Sequence, residues 1–127
     1  MKSKRINFRY ADFEGVKNIV LTFPGTEESV SYENTPSIKV RGKFMCRLHE
    51  NGEFIALRLD FDTRDKYLNK YPEYFHLPDH YINYPAICMW VHCKDKKILS
   101  EILELSWKGL ATKKQIKDWE AAKKQVK

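Results

Sequence analysis

Ser37-Ile38-Lys39-Val40-Arg41-Gly42-Lys43-Phe44-Met45-Cys46-Arg47-Leu48-His49-Glu50-Asn51-Gly52-Glu53-Phe54-Ile55-Ala56-Leu57-Arg58-Leu59-Asp60-Phe61 is the stretch that decides the fold. Ile38 and Val40 alternate with Lys39 and Arg41, and Gly42 then permits a tight turn. Phe44, Cys46 and Leu48 alternate with Met45, Arg47 and His49. Asn51-Gly52 is a strong hairpin signal, because both residues tolerate the positive φ of a type I′ turn. Beyond it, Ile55, Leu57, Leu59 and Phe61 alternate with Phe54, Ala56, Arg58 and Asp60. Period-two patterning on both sides of such turns predicts an antiparallel meander with one buried face, carrying Phe44 on that face.

Upstream, Phe13, Val16, Ile19, Val20 and Phe23 recur at spacings of three and four after Asp12, the expected N-cap. They predict an amphipathic helix that Pro24-Gly25 stops. Ser29 to Tyr32 is a short β-prone run, and Asn34-Thr35-Pro36 marks a turn. Downstream, Asp62 or Thr63 is expected to cap a short helix near residues 64–70, which Pro72 ends. Tyr71 to Tyr84, rich in tyrosine and proline, is expected to be an ordered loop packed by its aromatics. Ala86 to Cys93 has apolar side chains on both faces, which predicts a strand covered on both sides or set centrally in the sheet. Asp95 caps a helix carrying Ile98, Leu99, Ile102, Leu103, Leu105 and Leu110. Gly109 interrupts it, and Thr112 caps a last helix with Ile116 and Trp119. Strands in one run and helices toward the ends give an α+β class, an antiparallel sheet covered on one face by N- and C-terminal helices.

A chain of 127 residues fits a single domain, residues 1–127, with enough length to bury a core. The net charge of +6 is concentrated at the ends. Lys2, Lys4, Arg5 and Arg9 give residues 1–9 a charge of +4, and residues 112–127 carry another +4, so the body is slightly acidic at −2. Basic ends attract polyanions or simply solubilise. Three cysteines, Cys46, Cys88 and Cys93, are an odd set with core-like neighbours. No apolar run of signal-peptide length follows the basic start, and none has the roughly 20 residues of a membrane span. The expectation is a cytoplasmic monomer with reduced thiols.

Several ordered pieces resemble the MmcQ/YjbR-like family. They are Phe23-Pro24-Gly25-Thr26-Glu27-Glu28, Ile38 to Phe44 with the hairpin after it, Trp90-Val91, Ile102 to Trp107, and Leu110 to Gln115. The family usually has tyrosine where Trp107 stands. The resemblance implies a CyaY-like fold, and the family is often labelled DNA-binding. It supplies no catalytic residue to carry over. An iron-donor role of the frataxin type would want a crowded acidic ridge on the first helix, where this chain has only Asp12 and Glu14 beside Lys17.

The candidate chemistry is therefore that of binding. Lys39 and Arg41 are expected on one strand face, with Arg47 and Arg58 also pointing away from the core and Lys43 beyond the turn. Such a row of cations suits a phosphate backbone, while a solvated edge is the competing interpretation. An alternative is a small-ligand or partner-protein pocket using the aromatic loop Tyr67–Tyr84 around Trp90, with Tyr67, Tyr74, Tyr81 and Trp90 as its lining. The basic C-terminal helix offers a membrane or acidic-partner surface, against the simpler docking of Trp119 on the domain. His76-x3-His80 spans Pro78, and Cys88 and Cys93 are an odd number of positions apart, so no metal site is expected. No cofactor motif is present, and Asp60-x-Asp62 reads as turn and cap chemistry, so no enzyme is expected.

Overall fold

The computed structural model describes residues 10–31, 34–93 and 95–125. The order is α1 (Tyr10–Val20), β1 (Thr26–Val30), β2 (Pro36–Val40), β3 (Lys43–Leu48), β4 (Phe54–Arg58), α2 (Phe61–Lys70), β5 (Phe75–His76), β6 (Ala86–Trp90), α3 (Lys96–Lys108) and α4 (Lys113–Gln125). The six strands form one antiparallel sheet in the order β1-β2-β3-β4-β6-β5. The first four strands meander as expected. The chain then leaves through α2 and returns so that β6 pairs with β4 and the two-residue β5 forms the far edge.

One sheet face carries the core. Ile38, Val40, Leu48, Ile55, Leu57, Ile87 and Met89 meet Phe13, Val16 and Val20 of α1 and Ile98, Ile102, Leu103 and Trp107 of α3 in a single buried cluster. Trp107 is fully buried, and its indole N–H donates to the Pro24 carbonyl at 2.8 Å. Its ring stacks on Phe23 with centroids 5.2 Å apart, and Trp119 of α4 packs edge-on against Phe23 at 5.0 Å. The C-terminal helix thus docks its tryptophan on the domain. Thr112 and Gln115 start that helix with a reciprocal pair of side-chain to backbone bonds, a capping box.

Several local expectations are corrected. The two-residue turn with positive φ at both positions is Arg41-Gly42 (55° and 79°), which joins β2 to β3 directly. Around Asn51-Gly52 only Gly52 has positive φ, at 76°. A longer loop from His49 to Glu53 closes that hairpin, with the His49 N–H bonded to the Phe54 carbonyl at 2.9 Å. Between β2 and β3 the register steps from Ile38↔Cys46 to Lys39↔Phe44, so Met45 is an extra, bulged residue. The bulge places Met45 in the core and turns Phe44, 37% exposed, to the opposite face. The cap of α2 is Asp60, whose carboxylate accepts from the Thr63 N–H and hydroxyl. Asp12 lies inside α1 rather than at its cap, and the first strand begins at Thr26 rather than Ser29.

Candidate functional site

The sheet face away from the helices gathers aromatic side chains and two arginines. Cross-strand pairs Arg47↔Ala56, Phe54↔Trp90, Ala56↔Cys88 and Arg58↔Ala86 line it. Phe54, Ala56 and Cys88 form a second, small buried cluster, covered by Tyr81 and Trp90. Trp90 is stacked on His76 with centroids 3.6 Å apart, and Phe54 meets both rings edge-on at 5.0 and 6.2 Å. The segment after β5 therefore closes over β4 and β6, so β6 is covered on both faces as its sequence predicts. Burial pushes the Cys88 thiol up to about 12, with Arg47 opposing the shift, which leaves the thiol protonated and inert.

Arg64 of α2 holds that cover in place. It is buried, and its Nη1 donates to the carbonyls of Ile82 and Tyr84 at 3.0 Å each. Its Nε pairs with Asp65 at 3.1 Å, and its guanidinium lies 4.7 Å from the centre of the Phe61 ring. The Ile82 carbonyl is thus satisfied by a charged donor, the Tyr84 carbonyl accepts from Arg64 as well as from the Ala86 N–H at 2.8 Å, and the Tyr84 ring is presented at the surface.

The expected cations are not brought into one row. Arg41 turns to the helix side, and its Nη1 donates to the Leu110 carbonyl at 3.2 Å. Arg47 lies on the outer face but is engaged, with Nη1 on Thr35 Oγ1 at 3.1 Å and Nη2 on Glu50 Oε1 at 3.0 Å. Lys43 is exposed opposite Val40, so strand alternation directs it away from the outer face. Lys39 is half-buried on the outer face with Glu27 directly across from it. Arg58 is exposed, and among the described residues it has no ion-pair partner. The row fails because a bulge and a tight turn interrupt the alternation that would have aligned it.

The expected aromatic pocket also divides. Tyr67 packs in the helix-side core with its hydroxyl on Glu101 at 3.2 Å, and burial together with Glu101 pushes its pKa up to about 12. Tyr74 packs against the same core. Tyr81 and Trp90 lie on the other face. In place of that pocket, a cleft of about 220 Å³ opens on the outer face between Phe44, Arg58, Tyr81, Tyr84 and Pro85. Tyr84 is 56% exposed there, which makes two solvent-facing rings, Phe44 and Tyr84, beside one uncommitted guanidinium. Phe44 is not an expected site residue, and Tyr84 is expected only as the end of the aromatic loop. A bulge and the register of a loop decide their position, and neither leaves a local sequence signal.

Among the described residues no three His, Cys, Asp or Glu side chains are grouped so as to hold a metal ion. No helix among them is long and apolar enough to cross a membrane. The basic ends of the sequence fare differently from each other. Residues 1–9 lie outside the described residues, whereas on α4 Lys114 and Lys123 pair with Asp118 and Glu104, at 3.1 Å each.

No curated protein matches the chain. The YjbR family model matches residues 21–109, more than two thirds of the 127-residue chain and every strand of the sheet. The chain is a member of the YjbR family.

Proposed function

We propose that this chain is a non-enzymatic, cytoplasmic binding protein that recognises nucleic acid through the aromatic cleft at Arg58. The observation that carries the proposal is the grouping of Phe44, Tyr84 and Arg58 on one side of the sheet. A base offers a flat π-face to an aromatic side chain, and its phosphate offers charge to a guanidinium. A base-directed cleft explains the outer face better than a phosphate-tracking surface does, because Arg41 and Arg47 are committed elsewhere. The fixed partners of Arg47 also keep it from following a mobile backbone.

Fluorescence-anisotropy titration with short labelled oligonucleotides at several salt concentrations tests this. Arg58→Gln should weaken binding and reduce the slope of log K against log salt by about 0.7, the contribution of one phosphate on a single strand. Arg41→Gln should leave that slope unchanged. Equal slopes for the wild type and Arg58→Gln would overturn the assignment.

A further inference from the structure

A second cleft of about 210 Å³ adjoins the first, and the two share Arg58 and Pro85. It opens between Asp60, Phe61, Leu105 and Ser106, where the start of α2 meets the end of α3. Four large apolar side chains that the fold leaves exposed border this pair of clefts: Phe44 and Tyr84 on one, Phe61 (44%) and Leu105 (40%) on the other. Ser106 is 1% exposed, and its hydroxyl has no hydrogen-bond partner among the described residues. A buried hydroxyl in a helix normally bonds back to its own turn, so an unsatisfied one lining a cleft is available to an occupant. Asp60, the acid in this cleft, spends both carboxylate oxygens on Thr63.

We propose that the two clefts form one site for a dinucleotide step of single-stranded nucleic acid, with Arg58 on the phosphodiester between two bases. The inference rests on the function proposed above and extends it. Each cleft is smaller than the roughly 300–1,000 Å³ of a drug-sized pocket, which suits one ring system apiece. A single positive charge between an apolar hollow and a mixed one, each bordered by exposed apolar side chains, matches the order base, phosphate, base. The first base stacks against Tyr84 and Phe44. The second lies over Phe61 and Leu105, with an edge donor bonded to Ser106 Oγ. In a duplex both bases are stacked and paired, so neither can enter, and the site selects single strands.

Titration calorimetry on the whole chain with a nucleoside 5′-monophosphate, the matching dinucleotide and a short duplex tests the proposal. The dinucleotide should bind about 5- to 150-fold more tightly than the monophosphate, the gain from one stacked base. The duplex should bind more weakly than a single strand of the same length. Ser106→Ala removes only an unsatisfied hydroxyl, so it should fold as stably as the wild type and bind the monophosphate unchanged. It should lose about 2- to 12-fold for the dinucleotide, the worth of one hydrogen bond. Leu105→Ser, an exposed change, should cost the dinucleotide alone in the same way. Monophosphate binding with no gain for the dinucleotide would overturn the two-base site while leaving the first cleft standing. Absence of binding to all three at low salt would overturn both.

Discussion

Replacing Trp107 with phenylalanine tests what closes the helical layer onto the sheet. The indole is fully buried, donates to the Pro24 carbonyl at 2.8 Å, stacks on Phe23 at 5.2 Å and meets Trp119 edge-on at 6.0 Å. Phenylalanine keeps a stacked ring but removes the donor and shrinks the side chain. The lost bond costs about 0.5–1.5 kcal/mol, and more if the Pro24 carbonyl finds no water. The space left by the smaller ring adds roughly 1–2 kcal/mol. Trp107→Phe should therefore cost about 2–3 kcal/mol and lower Tm by roughly 10 °C for a domain of this size. Trp107→Tyr, the residue usual at this position in the resembling family, retains a hydroxyl donor near the same carbonyl and should cost less. Urea unfolding by circular dichroism measures both, with an unchanged m-value confirming that the unfolded states are comparable. A loss below about 0.5 kcal/mol for phenylalanine would refute the reasoning, given that it predicts at least one lost bond. Tyrosine proving as costly as phenylalanine would show that the Pro24 bond contributes nothing.

Three further outcomes follow from the same geometry. Arg64→Ala strands the Ile82 carbonyl and leaves the Tyr84 carbonyl with the Ala86 N–H alone, so it should cost about 1–3 kcal/mol. It should also speed amide exchange across residues 82–84, and unchanged exchange there would show that Arg64 does not hold the loop. The Thr63 backbone N–H and hydroxyl hold the Asp60 carboxyl below its ordinary value near 3.8. The stabilisation it provides is complete above that value and lost as pH falls through the lower folded value. Asp60→Asn should preserve neutral-pH stability and flatten that acid limb, while Asp60→Ala should cost about 1 kcal/mol at neutral pH. An acid limb identical in wild type and Asp60→Asn would exclude the linkage. Burial raises Cys46 and Cys88 to about 12, so both should resist iodoacetamide until the chain unfolds. Mass-spectrometric labelling of either thiol in the native state would contradict this.

Local chemistry made much of this fold legible in the sequence. The alternation of Ile55 and Leu57 with Ala56 and Arg58 places β4 correctly, although the segment after β5 buries Phe54 and Ala56 on its other face as well. Asp95 caps α3 by accepting from the N–H groups of Lys97 and Ile98, and the Thr112 cap is equally local. What escaped was set by contacts distant in sequence or by single-residue slips. The Met45 bulge moves Phe44 from core to surface, and nothing in Lys43-Phe44-Met45-Cys46 distinguishes a bulged residue from a paired one. Arg41 seemed an outward cation because its acceptor, the Leu110 carbonyl, lies 69 residues away in the chain. Tyr67 and Tyr81 seemed neighbours in a single aromatic stretch, yet the chain between them crosses the edge of the sheet and puts them on opposite faces. The candidate site was therefore legible in composition, a cation among aromatics, with Arg58, Tyr81 and the loop-end Tyr84 reaching it.

Amide chemical-shift mapping of the 15N-labelled chain with a short single-stranded oligonucleotide tests the central claim most directly. Perturbations should concentrate at Phe44, Arg58, Tyr84 and Ala86, extending to Phe61, Leu105 and Ser106 as the second base binds. Perturbations confined to the Arg41–Lys43 turn and the lysines of α4, with the outer sheet face silent, would contradict it.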